Sequence, residues 1–191
     1  LIDPNANNIA GTVSNEPEIY GHVAIDGTGE ADNTNLDNRD SAGFVPFSVV
    51  TDYRAREIER PIYSWTQEVI YEAHVQGLTA KNMQIPADER GTYKALGHPS
   101  TIEHLKHLGV TALELLPIHS YATEPAIWDR GRKNHWGYNT MGFFAPEPRY
   151  GRANPLREMQ TMVRTLHKAG IEATVHEAYP STADGIGGTI A

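Results

Sequence analysis

Residues 110–116 read Val-Thr-Ala-Leu-Glu-Leu-Leu, an almost unbroken apolar run with Gly109 before it and Pro117 after it. Such a run is rich in strand-forming residues and apolar on both of its alternating faces. That is the pattern of a parallel strand covered by helices, because an antiparallel strand with one wet face alternates instead. The flanks support this. Ser100 with Glu103 three residues later forms a capping-box pattern, Ile102, Leu105 and Leu108 recur at helical spacing, and Gly109 ends the segment. Downstream, Asn154 is placed to cap a second helix with Pro155 in its first turn. Its buried stripe is Leu156, Met159, Met162, Val163 and Leu166, with His167 and Lys168 near the C-terminal dipole and Gly170 as the stop. Residues 68–75 and 171–178 read as further strands. Strand, helix, strand, helix, strand with right-handed crossovers is half of a repeating α/β architecture. No internal repeat or low-complexity tract interrupts it.

Residues 134–150, Asn-His-Trp-Gly-Tyr-Asn-Thr-Met-Gly-Phe-Phe-Ala-Pro-Glu-Pro-Arg-Tyr, lie between a strand and a capped helix and read as a loop. Loops rarely hold so many rings, since large apolar side chains are usually buried. Phe143 and Phe144 are read as core residues of a short extra segment. Trp136 and Tyr138 flank Gly137, which allows close backbone approach, and are candidates for a platform under a ring-shaped ligand. A sugar offers an apolar C–H face and polar rims, which suits such a wall.

Composition narrows the partners. The formal charge of −8 has no basic block to offset it, which argues against nucleic acid and anionic membrane surfaces. No run reaches the roughly 18 apolar residues of a membrane span. The absence of cysteine removes disulfides and thiolate metal sites and fits a reducing, cytoplasmic setting. No leader-like start is visible. The first residue is Leu1 rather than Met, as expected of a piece of something longer. Residues 1–60 are polar and broken by turn residues. Gly27-Thr28-Gly29 and the Asn/Asp cluster of 32–40 mark loops, 44–50 is the best strand candidate, and the alternating charges of 54–60 read as a solvated connector.

Three stretches carry a resemblance. Val-Ile-Tyr-Glu-Ala-His-Val-Gln-Gly-Leu-Thr (69–79), Gly-Val-Thr-Ala-Leu-Glu-Leu-Leu-Pro-Ile-His (109–119) and the aromatic segment 134–150 closely resemble the α-amylase superfamily, glycoside hydrolase family 13, in its bacterial glycogen-debranching and isoamylase branch. Weaker likeness extends to 1–10, 39–50 and 90–96. The resemblance implies that residues 1–60 are the end of a carbohydrate-binding β-sandwich module with its linker. It implies that 61–191 are the first three strands and two helices of a (β/α)8 TIM barrel, the remainder of the barrel being missing. It also implies retaining hydrolysis of α-1,6 branch points in glycogen-type glucans, by two carboxyls about 5–5.5 Å apart. The family places its three catalytic carboxylates after the fourth, fifth and seventh strands, so no catalytic residue is assigned to this chain and the chain alone is expected to be inactive. Tyr138 would stack on the sugar whose bond breaks, with Trp136 and Asn139 shaping the same loop, in keeping with barrel sites lying on loops after strands.

The family's next landmark, Asp-x-x-Tyr-Asn-His, aligns without a gap on His176-Glu177-Ala178-Tyr179-Pro180-Ser181. Only Tyr179 matches. His176 stands for the Asp that orders an active-site Arg, Pro180 for the Asn, and Ser181 for the His that bonds the sugar. Some relatives hold calcium through that Asn, which Pro180 cannot do, so no such ion is expected. These departures keep open a non-catalytic glucan-binding remnant or pseudoenzyme, or a fragment of an interrupted gene.

Other features read as structural. His104 and His107 share a helix face, but no third ligand is fixed there, so no metal is expected. Glu72 and Glu114 lie inside strands, where a buried carboxylate needs a partner, and interior pairing is the reading. Glu147, between two prolines, reads as loop scaffolding. Gly185-Ile186-Gly187-Gly188 lacks the Lys and helix start of a phosphate loop, and Ser181 lacks a nucleophile elbow. No cofactor is implied.

Overall fold

The computed structural model describes residues 2–24, 31–52, 58–176 and 178. In chain order the first strands are β1 (Ile9–Ala10), β2 (His22–Ala24), β3 (Ala31–Leu36), β4 (Phe47–Ser48) and β5 (Ile70–Ala73). Three helices follow, α1 (Val75–Thr79), α2 (Tyr93–Leu96) and α3 (Pro99–His107), then strands β6 (Ala112–Leu115) and β7 (His119–Tyr121). The described chain ends with α4 (Pro125–Trp128), β8 (Thr140–Pro146), α5 (Pro155–Lys168) and β9 (Glu172–Val175). The architecture is mixed α/β, with few helices.

Two compact units divide these elements. The first gathers residues up to 51 with 119–145 and 178, and the second gathers 52–118 with 146–176. In the first unit β1 pairs antiparallel with β4, β2 pairs antiparallel with β3 through an irregularity at His22/Val23, and β7 pairs with β8. A small core of Ala6, Ile9 and Ala145, with Ile2 against it, ties the N-terminal strand to β8. Gly142 makes that approach possible, since a Cβ there would lie 2.5 Å from Ile9 Cδ1. Near the β2–β3 ladder, the Arg39 guanidinium bonds the Asp37 carboxylate and Glu18, and holds the Asp37 carboxyl down to about 2.

The second unit is built on the parallel sheet β5-β6-β9, with Glu72 opposite Glu114 and Glu114 opposite Thr174. The apolar run around β6 is central, as its pattern predicts. Ala112, Leu113, Leu115 and Leu116 are buried, as are Leu105 of α3 and Met162 and Leu166 of α5. Burying each such leucine contributes about 1.5–3 kcal/mol relative to exposure.

Several boundaries differ from the sequence expectation, and local chemistry explains them. The first parallel strand stops at Ala73 because His74 caps α1: its Nδ1 accepts from the backbone N–H groups of Gln76 and Gly77, both at 3.1 Å. With Nδ1 an acceptor, the ring proton sits on Nε2, which bonds the Tyr150 hydroxyl at 3.0 Å. Tyr93 packs edge-on against Tyr150, and its hydroxyl donates to the Ile118 carbonyl at 3.1 Å. The cap of α3 is His98 and not Ser100, because Pro99 takes the first helical position and His98 Nδ1 accepts from Ser100 N–H. Leu108 follows the helix as its C-cap and is 48% exposed, so it is not part of the buried stripe. Asn154 caps α5 as expected, through Arg157 N–H at 3.0 Å. The segment 134–150 is not all loop: its second half forms β8, and Phe144 on that strand is 64% exposed rather than core. The connector residue Tyr63 is anchored by a hydroxyl bond of 2.6 Å to the Gly170 carbonyl. Among the described residues no helix is long and apolar enough to cross a membrane.

Candidate functional site

The aromatic segment hangs from one buried asparagine. Asn134 is 7% exposed and every bonding atom of its amide is engaged. Its Oδ1 accepts from Gly137 N–H at 3.0 Å, while Nδ2 donates to Glu124 Oε1 at 3.0 Å and to the Ala122 carbonyl at 3.4 Å. Its backbone N–H donates to the Thr123 hydroxyl at 3.2 Å. The amide thus closes a tight turn on one side and clamps the strand leaving β7 on the other. Glu124 contributes one oxygen to this knot, and its Oε2 is buried with no hydrogen-bond partner among the described residues.

The turn ends at Gly137, whose φ of 86° is the left-handed region that a side chain disfavours. That geometry turns the chain so that neighbouring rings leave the knot. Trp136 is 58% exposed, with His135 edge-on to its indole at 5.2 Å between ring centres. Tyr138 is half-buried. Asn139 is only 6% exposed, and its backbone carbonyl accepts from Ala122 N–H at 3.0 Å. Of the three residues singled out from the sequence, Trp136 therefore presents an open ring, Tyr138 a partly covered one, and Asn139 holds the base of the loop. The base itself is closed: Ser120, Tyr121, Ala122 and Thr140 are all buried.

The landmark after β9 falls partly within the described residues. His176 continues the ladder, its N–H bonding the Leu115 carbonyl at 2.8 Å. Its Nδ1 lies 3.4 Å from Glu114 Oε1 and 3.8 Å from Glu72 Oε2. The two strand glutamates do find a partner, as anticipated, but they are not buried: their side chains are 31% and 55% exposed. Tyr179, Pro180, Ser181 and the glycines of 185–188 lie outside the described residues. Glu147 behaves as scaffolding. It is buried, its carboxylate bonds both the backbone N–H and the Nε of Arg149, and its own N–H donates to the Ile118 carbonyl at 2.7 Å.

Sequence reasoning missed the roles of Asn134 and Glu124. The spacing of Asn134 to Gly137, an asparagine three before a glycine, carried the signal for the first. Nothing local marked the second, whose partner is ten residues away.

No protein-family model matches the chain. It is 44% identical over 177 residues to a glycogen debranching enzyme of Klebsiella pneumoniae, covering 90% of this chain and 25% of that protein. Among solved structures, a type I pullulanase of Bacillus subtilis complexed with maltose matches 91% of this chain and 22% of its own, at 25% identity and a TM-score of 0.55. The catalytic module of a multi-modular glycogen-degrading pneumococcal virulence factor matches 91% of this chain and 24% of its own, with a TM-score of 0.62 at 21% identity, a likeness of fold. The chain spans about a quarter of the length of the curated relatives it matches.

Proposed function

We propose, from this kinship with glycogen debranching enzymes, that the chain forms part of a retaining glycoside hydrolase acting on α-1,6 branch points of glycogen-type glucans. On this reading β5, β6 and β9 are the first three strands of a (β/α)8 barrel, and residues 1–60 are the end of a carbohydrate-binding β-sandwich module with its linker. The observation that carries it is the in-register parallel order β5-β6-β9, formed by the same stretches that resemble the family, in a chain 44% identical to a debranching enzyme. A cytoplasmic setting belongs to the same proposal.

Trp136 and Tyr138 form one wall of the sugar site. An exposed indole held on a buried hydrogen-bonded knot offers a fixed apolar face, and the C–H face of a glucosyl ring packs on such a surface while its hydroxyls stay wet. On this reading no catalytic carboxylate stands at this wall among the described residues, so the chain binds without cutting.

The test is glycogen binding by the 191-residue chain, followed by affinity electrophoresis, with Tyr138→Ala and Trp136→Ala compared to Phe144→Ala. Each of the first two should weaken binding about tenfold, equivalent to about 1.4 kcal/mol. Phe144→Ala, an exposed ring on β8, should leave it unchanged. No reducing ends should appear from glycogen. Undiminished binding by Tyr138→Ala would remove the sugar wall, and release of sugar by the pure chain would overturn the division between binding and cutting.

A further inference from the structure

Glu72 and Glu114 stand directly opposite each other on neighbouring parallel strands. Like charges so placed repel, and a sheet with this pair is weakened unless a cation lies close. The next strand supplies a third group on the same face. Thr174 is in register with Glu114, and His176 lies two residues further on, so the two-residue alternation puts its ring on the face that carries both carboxylates. One ligand atom from each of the three lies within 4.8 Å of the other two.

The spacing is close to that of donors around an ion. His176 Nδ1 is 3.4 Å from Glu114 Oε1 and 3.8 Å from Glu72 Oε2. Both separations exceed the roughly 2.7–3.2 Å of an ordinary N–H···O hydrogen bond. Around zinc, with bonds of about 2.0–2.2 Å to nitrogen and oxygen, tetrahedral donors sit about 3.3–3.6 Å apart; the Glu114 separation falls in that range and the Glu72 separation lies just beyond it. We propose that Glu72, Glu114 and His176 form a divalent transition-metal site, zinc being the best match to one imidazole and two carboxylates. The three side chains are 55%, 31% and 41% exposed, which leaves room for water as the fourth ligand. The donors come from three strands, so no linear spacing motif marks the site. That is why the sequence, read through His104 and His107, leads to the expectation of no metal.

One consequence follows from the donor set. Zinc screens the two carboxylates and couples all three strands of the sheet, so it stabilises the second unit against unfolding.

The experiment is calorimetric titration of the chelator-treated 191-residue chain with zinc chloride, with cobalt(II) absorption as a second probe of coordination. One ion per chain is expected, with a rise in the melting temperature. His176→Gln and Glu114→Gln should each weaken zinc on the order of 10–100-fold, while the double change His104→Gln with His107→Gln should have no effect. Absence of saturable binding, or wild-type affinity in His176→Gln, overturns the site. Should the glutamine variants lose their fold by circular dichroism, the wild-type chain decides. Zinc must then protect His176 from acylation by diethyl pyrocarbonate, read by peptide mass spectrometry, and an unprotected His176 refutes the proposal.

Discussion

Gly151 follows the single turn at 148–150 and leads into α5, and its missing Cβ sets how closely those two pieces meet. A Cβ there would fall 2.6 Å from Pro155 Cα and 2.8 Å from Pro155 Cβ and Cγ. The obstacle is backbone and a closed ring, neither of which can swing away. We expect Gly151→Ala to destabilise the chain by about 1–3 kcal/mol, the usual cost of overpacking. An unshifted urea midpoint would refute this. Sequence at this scale is readable where a residue acts on its neighbours and opaque where it acts at a distance. Asn154 as a cap follows from its own local context. The capping of α3 was open to the same reasoning, since Pro99 favours the first helical position and so points to His98. The Ser100–Glu103 pattern competes with that signal and misleads. By contrast, nothing near Glu72 in sequence announces His176.

At the level of elements, α5 shows how a helix start is reinforced. Beyond Asn154, the Glu158 carboxylate accepts from the backbone N–H groups of Arg152, Ala153 and Asn154 at 2.9–3.2 Å. The negative charge also sits at the positive end of the helix dipole. Glu158→Ala should therefore cost about 1–2 kcal/mol, and Glu158→Gln, which keeps an acceptor, should cost less. Equal midpoints for all three chains in chemical denaturation would show that the contact contributes nothing. The long periodic elements α5 and β6 were readable because packing and pattern agree over many residues. The short ones were not. Helices α1 and α2 have only five and four residues, too few to show a helical period. Strand β8 hides because Gly142 within it and Pro146 at its end give it the composition of a loop, while its pairing with β7 is a non-local fact.

At the scale of the whole molecule, the parallel sheet has only β6 paired on both sides among the described residues. Its outer strands carry apolar residues into the open: Val69 is 46% exposed beside β5, Ile70 53% within it, and Val175 44% on β9. Unpaired edges with apolar flanks are templates for further pairing. We expect the purified chain to self-associate in a concentration-dependent way, seen by sedimentation velocity over a dilution series. A strictly monomeric species with a sharp cooperative melt would count against this. A sequence boundary near residue 60 separates polar from apolar texture. The compact units join 119–145 to the N-terminal residues, where Ala145 packs on Ile9 and Ala6. Long-range contacts of that kind leave no trace in local periodicity.

The knot at Asn134 has one more effect, on timing. Four bonds to a single buried side chain and its own N–H are completed as the protein folds, so the backbone that carries the indole beside it is set before any visitor arrives. The entropy of ordering that shelf is charged to folding rather than to recognition. A sugar landing there would gain contact without first having to arrange its host.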